Sequence, residues 1–238
     1  MKTALVTGAS RGIGADIARH LAKDGMFVYV NYSKSYEKAE ALAEEIGGAA
    51  ICADVSDETA VADMIKRIET EKGGIDVLVN NAGISMIKML CDTTTADWDR
   101  IFSVNMKGAY LVTKAAMGHM VSNKCGRIVN ISSMWGEVGA SCEVAYSASK
   151  AALIGFTKAL AKELSLSGIT VNCITPGVID TEMNSGLDAA TMAELSEEIP
   201  LGRIGTPSEI ASVVSFLCSD RAKYITGQVF GVNGGLVI

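Results

Sequence analysis

At 238 residues, with 49% apolar and 20% charged residues, the chain has the balance of an ordinary globular protein and enough length for one large core. A formal charge of −6 without any run of like charges argues against a phosphate-backbone partner such as DNA or RNA. The six cysteines are dispersed, with no Cys-x-x-Cys and no clustering with His20 or His119, which argues against a metal site or a disulfide framework and suits a reducing cytoplasm. The opening stretch Lys2-Thr-Ala-Leu-Val-Thr-Gly8 is too short and wrongly flanked for a signal peptide, and no apolar run approaches the ~20 residues that span a bilayer.

In chain order, β-branched runs predict strands at 3–7, 27–32, 50–53, 76–80, 127–132, 169–174 and 228–232. Between them, helical patterns fall at 12–24, 35–46, 57–72, near 96–121, at 145–166 and at 207–218. Strict alternation of this kind predicts βαβ units, hence a Rossmann-type doubly wound α/β fold with about seven parallel strands and helices on both faces. No linker or repeat interrupts it, so residues 1–238 are expected to form a single domain. The polar, helix-like stretch 178–206 breaks the rhythm and is expected to be a substrate loop. Pro176, Pro200 and Pro207 are all expected beyond the sixth strand.

The first strand runs into Thr7-Gly8-Ala9-Ser10-Arg11-Gly12-Ile13-Gly14 and then a helix. Glycines there let backbone amides approach a pyrophosphate where the helix dipole favours negative charge. At the end of the second strand, where an NAD enzyme usually places a carboxylate for the adenosine ribose, the chain has Asn31-Tyr32-Ser33-Lys34. Without that acid, Arg11 and Lys34 are free to pair with a 2′-phosphate, which favours NADP(H). Further on, Tyr146-Ser-Ala-Ser-Lys150 places a phenol and an ammonium on one helix face. A cation about 4 Å from the phenol contributes roughly 4 kcal/mol toward the phenolate at an effective dielectric of 20, enough to move an ordinary tyrosine toward neutral pH.

Taken together, Thr7-Gly8-x-x-x-Gly12-x-Gly14, Asn80-Asn81-Ala82-Gly83, Asn105, Ser133, Tyr146-x-x-x-Lys150 and Pro176-Gly177 resemble the short-chain dehydrogenase/reductases over essentially the whole chain. The resemblance implies that Ser133 bonds the substrate carbonyl, Tyr146 delivers the proton, Lys150 binds the nicotinamide ribose and lowers the tyrosine pKa, and Asn105 holds a relay water. It also implies a cofactor surface of Gly8, Ser10, Arg11, Gly12, Ile13, Gly14, Asn31, Tyr32, Ser33, Asp54, Val55, Asn81, Ala82, Gly83, Tyr146, Lys150, Pro176, Gly177, Ile179 and Thr181. Within this set Asp54 is placed on the adenine, and Ile179 and Thr181 on the carboxamide. Ser132 competes with Ser133, but strand alternation turns only one of them inward.

Within that family the chain is most similar to 3-oxoacyl-acyl carrier protein reductases, through Thr206-Pro-Ser-Glu-Ile, Tyr224-Ile-Thr-Gly-Gln and Val232-Asn-Gly-Gly235. The stretch from Ser132 to Tyr146 resembles a sister group, the elongation factor P 5-aminopentanone reductases. The implied substrate is therefore a ketone, small or carrier-linked, with acyl carrier protein or elongation factor P as partner, and a homotetramer as the assembly. Of two positions associated with binding the acidic carrier near the cleft entrance, one is Lys124 and the other is Ser167. Glu143 suits either an amine-attracting residue at the mouth or a helix-dipole partner. Met86, Met134, Trp135 and Met183 are candidates to line an apolar pocket. A non-catalytic alternative is an NADP-sensing protein that keeps the fold without turnover.

Overall fold

The structure, a computed structural model, describes residues 1–182 and 189–238. Seven strands form one parallel sheet: β1 (Thr3–Val6), β2 (Phe27–Tyr32), β3 (Ala49–Cys52), β4 (Val77–Asn80), β5 (Gly126–Ile131), β6 (Ile169–Pro176) and β7 (Val229–Val232). Their order is β3-β2-β1-β4-β5-β6-β7, so the chain reverses its winding between β1 and β4. That reversal opens a crevice at the carboxyl ends of these two strands, the place where such sheets bind ligands.

Alternation along each strand feeds two cores. Ala4, Val6, Val77 and Val79 face α1 (Gly12–Lys23), α2 (Tyr36–Ile46) and α9 (Pro207–Cys218) through Ile17, Leu21, Leu42, Ile210 and Val214. Leu5, Leu78, Ile128 and Val171 face α3 (Glu58–Lys72), α5 (Gly108–Asn123) and α7 (Val144–Leu164) through Ile65, Leu111, Leu160 and Leu164. Burial on both faces is why these strands read as nearly continuous apolar runs. Among the described residues no helix is long and apolar enough to cross a membrane.

Three local features depart from the sequence reading. The pattern near 96–121 resolves into α4 (Thr95–Phe102), a π-helical turn at Ser103–Lys107 and α5, while a four-residue helix, α6 (Trp135–Val138), precedes α7. Pro176 is the last residue of β6 rather than a loop residue beyond it. A proline is tolerated at that point, and its carbonyl accepts from the Met134 amide at 3.0 Å. Within 178–206, α8 spans Ala189–Glu198, and the base is closed where Ile179 bridges Gly205.

A buried polar chain fixes the site-bearing elements to one another. Asn80 Nδ2 donates to Thr113 Oγ1 and Asn130 Oδ1, Asn130 Nδ2 donates to Thr157 Oγ1, and Thr157 Oγ1 donates to the Leu153 carbonyl. It joins β4, β5, α5 and α7 below the carboxyl edge of the sheet, where rotation of α7 would displace Tyr146 and Lys150.

Candidate active site

The glycine turn lies over the crevice. Gly8 and Gly12 have φ of 61° and 55°, in the region that favours glycine. Close packing constrains Gly14 instead: a Cβ there would lie 2.5 Å from Asn81 Nδ2 and 2.7 Å from the Gly8 carbonyl. Asn81 donates to the Thr7 and Gly8 carbonyls at 2.9 and 3.1 Å, and Thr7 Oγ1 accepts from the Asn81 and Ala82 amides. The Asn80-Asn81-Ala82-Gly83 segment is thus a brace for the turn. The first turn of α1 carries no acidic residue and no side-chain cap, which leaves its amides available to an anion. Ser10 and Ile13 flank the turn half-buried, with Ile13 packed on the core beneath.

On the adenosine side, several side chains of the expected surface are engaged within the fold. Asn31 is buried; its Oδ1 accepts from the Gly8 amide, while Nδ2 donates to the Ile51 and Ala53 carbonyls. Tyr32 is buried too, and burial pushes its phenol pKa up. Val55 packs on Gly108, where a Cβ would come within 2.7 Å of Val55 Cγ2. Asp54 accepts from the Ser56 amide and hydroxyl, which, with Arg100 at 3.7 Å, hold its carboxyl below the usual range. Ser33 and Lys34 are exposed at the end of β2. Arg11 pairs with Glu182 at 3.6 Å, and the same carboxylate accepts from Lys38 at 2.6 Å. Neither Lys38 nor Glu182 was legible as a site residue, because the two stand 144 residues apart.

Ser133, Tyr146, Lys150 and Asn105 come together where β5, α7 and the π-turn meet. Alternation separates the serines as expected: Ser132 Oγ donates to the Lys150 carbonyl at 2.7 Å, whereas Ser133 interacts with the Tyr146 hydroxyl. Asn105, buried in the π-turn, accepts from the Ile84 amide and donates to the Ile84 carbonyl and Ser149 Oγ. Such turns recur at functional sites. Gly83 fits between Lys150 and Asn105, since a Cβ there would lie 3.2 Å from Lys150 Nζ and 3.4 Å from Asn105 Oδ1.

Burial, rather than the lysine, dominates the Tyr146 pKa here, so the expected depression is not seen. Lys150 Nζ lies 5.7 Å from the phenol ring centre and donates to the Ile131 carbonyl at 2.9 Å. Burial pushes the phenol up to about 12; the Ser133 interaction opposes this and the Glu143 charge adds to it. Burial also pulls Lys150 down to about 8. Desolvation of both groups outweighs the attraction that sequence spacing suggested.

Beside this set, a largely apolar cleft of about 360 Å³ is lined by Met134, Trp135, Val138, Val178, Leu195 and the C-terminal Leu236–Ile238, with Glu198 as its one charged side chain among the described residues. Met86 is not part of that lining, and Met183 lies outside the described residues. A larger cavity of about 490 Å³ is bounded by Ile199, Pro200 and Asn233, whereas the smaller one includes Met134 and Trp135, which directly follow Ser133. Pro176 and Gly177 form the strand end beside it, and Gly177 abuts Asn233. Ile179 is a core residue pinned to Gly205, while Thr181 lies 3.5 Å from where a Cβ on Gly12 would stand, over the glycine turn. Glu143 is half-buried, and burial raises its carboxyl pKa. Lys124 and Ser167 precede the first residues of β5 and β6, so they lie at the opposite edge of the sheet, not at the mouth of this chain's own cleft.

A glycine turn at the winding reversal beside a buried hydroxyl–lysine set defines an oxidoreductase of the doubly wound α/β class. The chain matches the family described as Enoyl-(Acyl carrier protein) reductase over residues 8–237, and it belongs to the short-chain dehydrogenase/reductases. It is similar to the 3-oxoacyl-[acyl-carrier-protein] reductase FabG of Staphylococcus aureus, at 45% identity over 240 residues covering 99% of this chain and 98% of that protein. The FabG of Aquifex aeolicus is 44% identical over 241 residues, covering 99% and 97%. The 3-oxoacyl-[acyl-carrier-protein] reductase of Synechocystis sp. is 45% identical over 243 residues, covering 100% and 97%. The chain is accordingly a short-chain oxidoreductase acting on a carbonyl or hydroxyl group.

Proposed function

We propose that this protein is an NADPH-dependent 3-oxoacyl-acyl carrier protein reductase, one dinucleotide-binding domain whose substrate loop lies at about 178–206. The observation that carries the reading is the Ser133–Tyr146 hydroxyl pair beside an apolar cleft and the glycine turn. The residues fit a nicotinamide dinucleotide: α1 offers uncapped amides, and Arg11 supplies positive charge at the turn. When bound, that cofactor supplies the hydride to the carbonyl carbon. Negative charge then develops on the carbonyl oxygen, where the Ser133 and Tyr146 hydroxyls stabilise it more strongly than in the ground state. Tyr146 gives up its proton, and Lys150, held by the Ile131 carbonyl, supplies the positive charge that steadies the resulting phenolate. Asn105 orients a water that returns the proton. A cytoplasmic homotetramer is the form we attach to this reading.

The test is oxidation of NADPH and of NADH with acetoacetyl-acyl carrier protein. Turnover with a clear NADPH preference is expected; absence of turnover with any ketone would favour an NADP-sensing protein instead.

A second reading, reduction of an amino ketone carried on elongation factor P, is favoured by one observation. The Glu143 carboxyl is half-buried near Tyr146, with no hydrogen-bond or ion-pair partner among the described residues. An amine would relieve that desolvation. Under this reading Glu143→Gln lowers kcat/KM for an amino ketone about fivefold relative to its uncharged analogue, a partly exposed ion pair being worth roughly 1 kcal/mol. An unchanged ratio would leave Glu143 as a residue of the α7 start only.

A further inference from the structure

Two cations from different elements converge on one carboxylate at the ribose end of the crevice. Arg11 ends the glycine turn, Lys38 lies in the first part of α2 directly after β2, and Glu182 follows β6. The Glu182 carboxylate is shared between them, at 2.6 Å from Lys38 Nζ and 3.6 Å from Arg11 Nε. Both cations, chiefly Lys38, lower the Glu182 pKa, so it is a fixed anion at neutral pH. Its placement is not a surface accident of one long side chain, because the preceding residue, Thr181, already packs over Gly12.

We propose that Lys38 reads the 2′-phosphate of the cofactor together with Arg11, and that Glu182 is an internal anion competing with that phosphate for both cations. This rests on the NADP(H) reading above. Lys34, the other lysine near the end of β2, is exposed, whereas Lys38 meets Arg11 on one carboxylate and so stands where both cations reach a single anion. A phosphate monoester carries about −1.5 to −2 charges at pH 7 and presents three acceptor oxygens, against one charge on the carboxylate. It therefore displaces Glu182, whereas a ligand with a bare ribose hydroxyl cannot. Competition of this kind lowers affinity for ligands that carry the 2′-phosphate and leaves those with a bare ribose hydroxyl nearly untouched, so Glu182 reduces the preference that Lys38 and Arg11 create.

The experiment measures calorimetric binding of adenosine 2′,5′-bisphosphate and of 5′-AMP, which differ only in the 2′-phosphate, to the full chain and its variants. Lys38→Ala is expected to weaken the bisphosphate about fivefold and Glu182→Gln to tighten it by a similar factor, with 5′-AMP changing less than about twofold in each, since all three groups are partly exposed. Lys38→Arg should keep the preference. In the double variant the gain from Glu182→Gln should shrink, because one of the two contested cations is gone. Unchanged thermal midpoints establish that these surface variants fold. If wild type and Glu182→Gln both bind the two ligands equally, the NADP(H) reading falls. If wild type prefers the bisphosphate but either single variant leaves the affinity ratio unchanged, that reading stands and the proposed roles of Lys38 and Glu182 are overturned.

Discussion

Replacement of Tyr146 by Phe is expected to lower kcat by about 10²–10⁴-fold while leaving dinucleotide affinity within about twofold, the range general acid catalysis supplies. The two effects separate because the phenol hydroxyl supports nothing else in the cofactor crevice. Lys150 is held by the Ile131 carbonyl, and Asn81 by the Thr7 and Gly8 carbonyls, without help from Tyr146. Among the described residues, loss of the hydroxyl removes its interaction with Ser133, and the largely buried ring stays. A stability change within about 1 kcal/mol is expected, the usual scale for one hydrogen bond. Single-turnover rates with NADPH and a β-ketoacyl thioester, alongside a fluorescence titration of NADPH, check both halves. A variant that kept more than about half of the wild-type rate would remove Tyr146 as the acid, since even weak acid catalysis exceeds that margin.

The parts of the fold legible in the sequence are those in which local pattern and tertiary burial agree. All seven strands were marked, because a parallel sheet covered on both faces demands apolar residues at successive positions. The glycine turn was legible for a similar reason, with Gly8, Gly12 and Gly14 answering separate steric demands. The π-turn at Ser103–Lys107 was not, since one extra residue in a helical turn leaves the apolar spacing nearly unchanged while re-aiming Asn105. Pairings across long separations were invisible as well. Spacing brought Lys150 toward Tyr146, but only the fold reveals that the Ile131 carbonyl, from another element, holds the ammonium. The side-chain partners of Asn31 and Val55 were equally out of view: both positions border the crevice, and their side chains are engaged within the fold beneath it. Lys124 and Ser167 lie on helix-to-strand connections at the amino edge of the sheet, away from this chain's own cleft, a placement that local pattern does not reveal.

Lys150→Met is expected to lower turnover as Tyr146→Phe does, yet to raise stability at neutral pH. Burial pulls the lysine from 10.5 to about 8, so carrying its charge into the folded protein at pH 7 costs on the order of 3 kcal/mol. Methionine fills a similar volume without that charge. It leaves the Ile131 carbonyl without its donor, which returns about 1 kcal/mol of the gain. The sign of the pH dependence follows from linkage. With the folded pKa depressed, the unfolded chain binds more protons between about pH 8 and 10.5, so this lysine's contribution makes wild-type stability rise with pH across that window. Buried thiols and phenols such as Cys218 and Tyr29, whose pKa values are raised, act in the opposite sense, so the relevant quantity is the difference between variant and wild type. That difference should favour Lys150→Met at pH 7 and shrink steadily toward pH 10. Urea unfolding of both proteins at several pH values measures it directly. A variant less stable than wild type at pH 7, or a difference independent of pH, would mean that the folded protein solvates the ammonium far better than one backbone carbonyl accounts for.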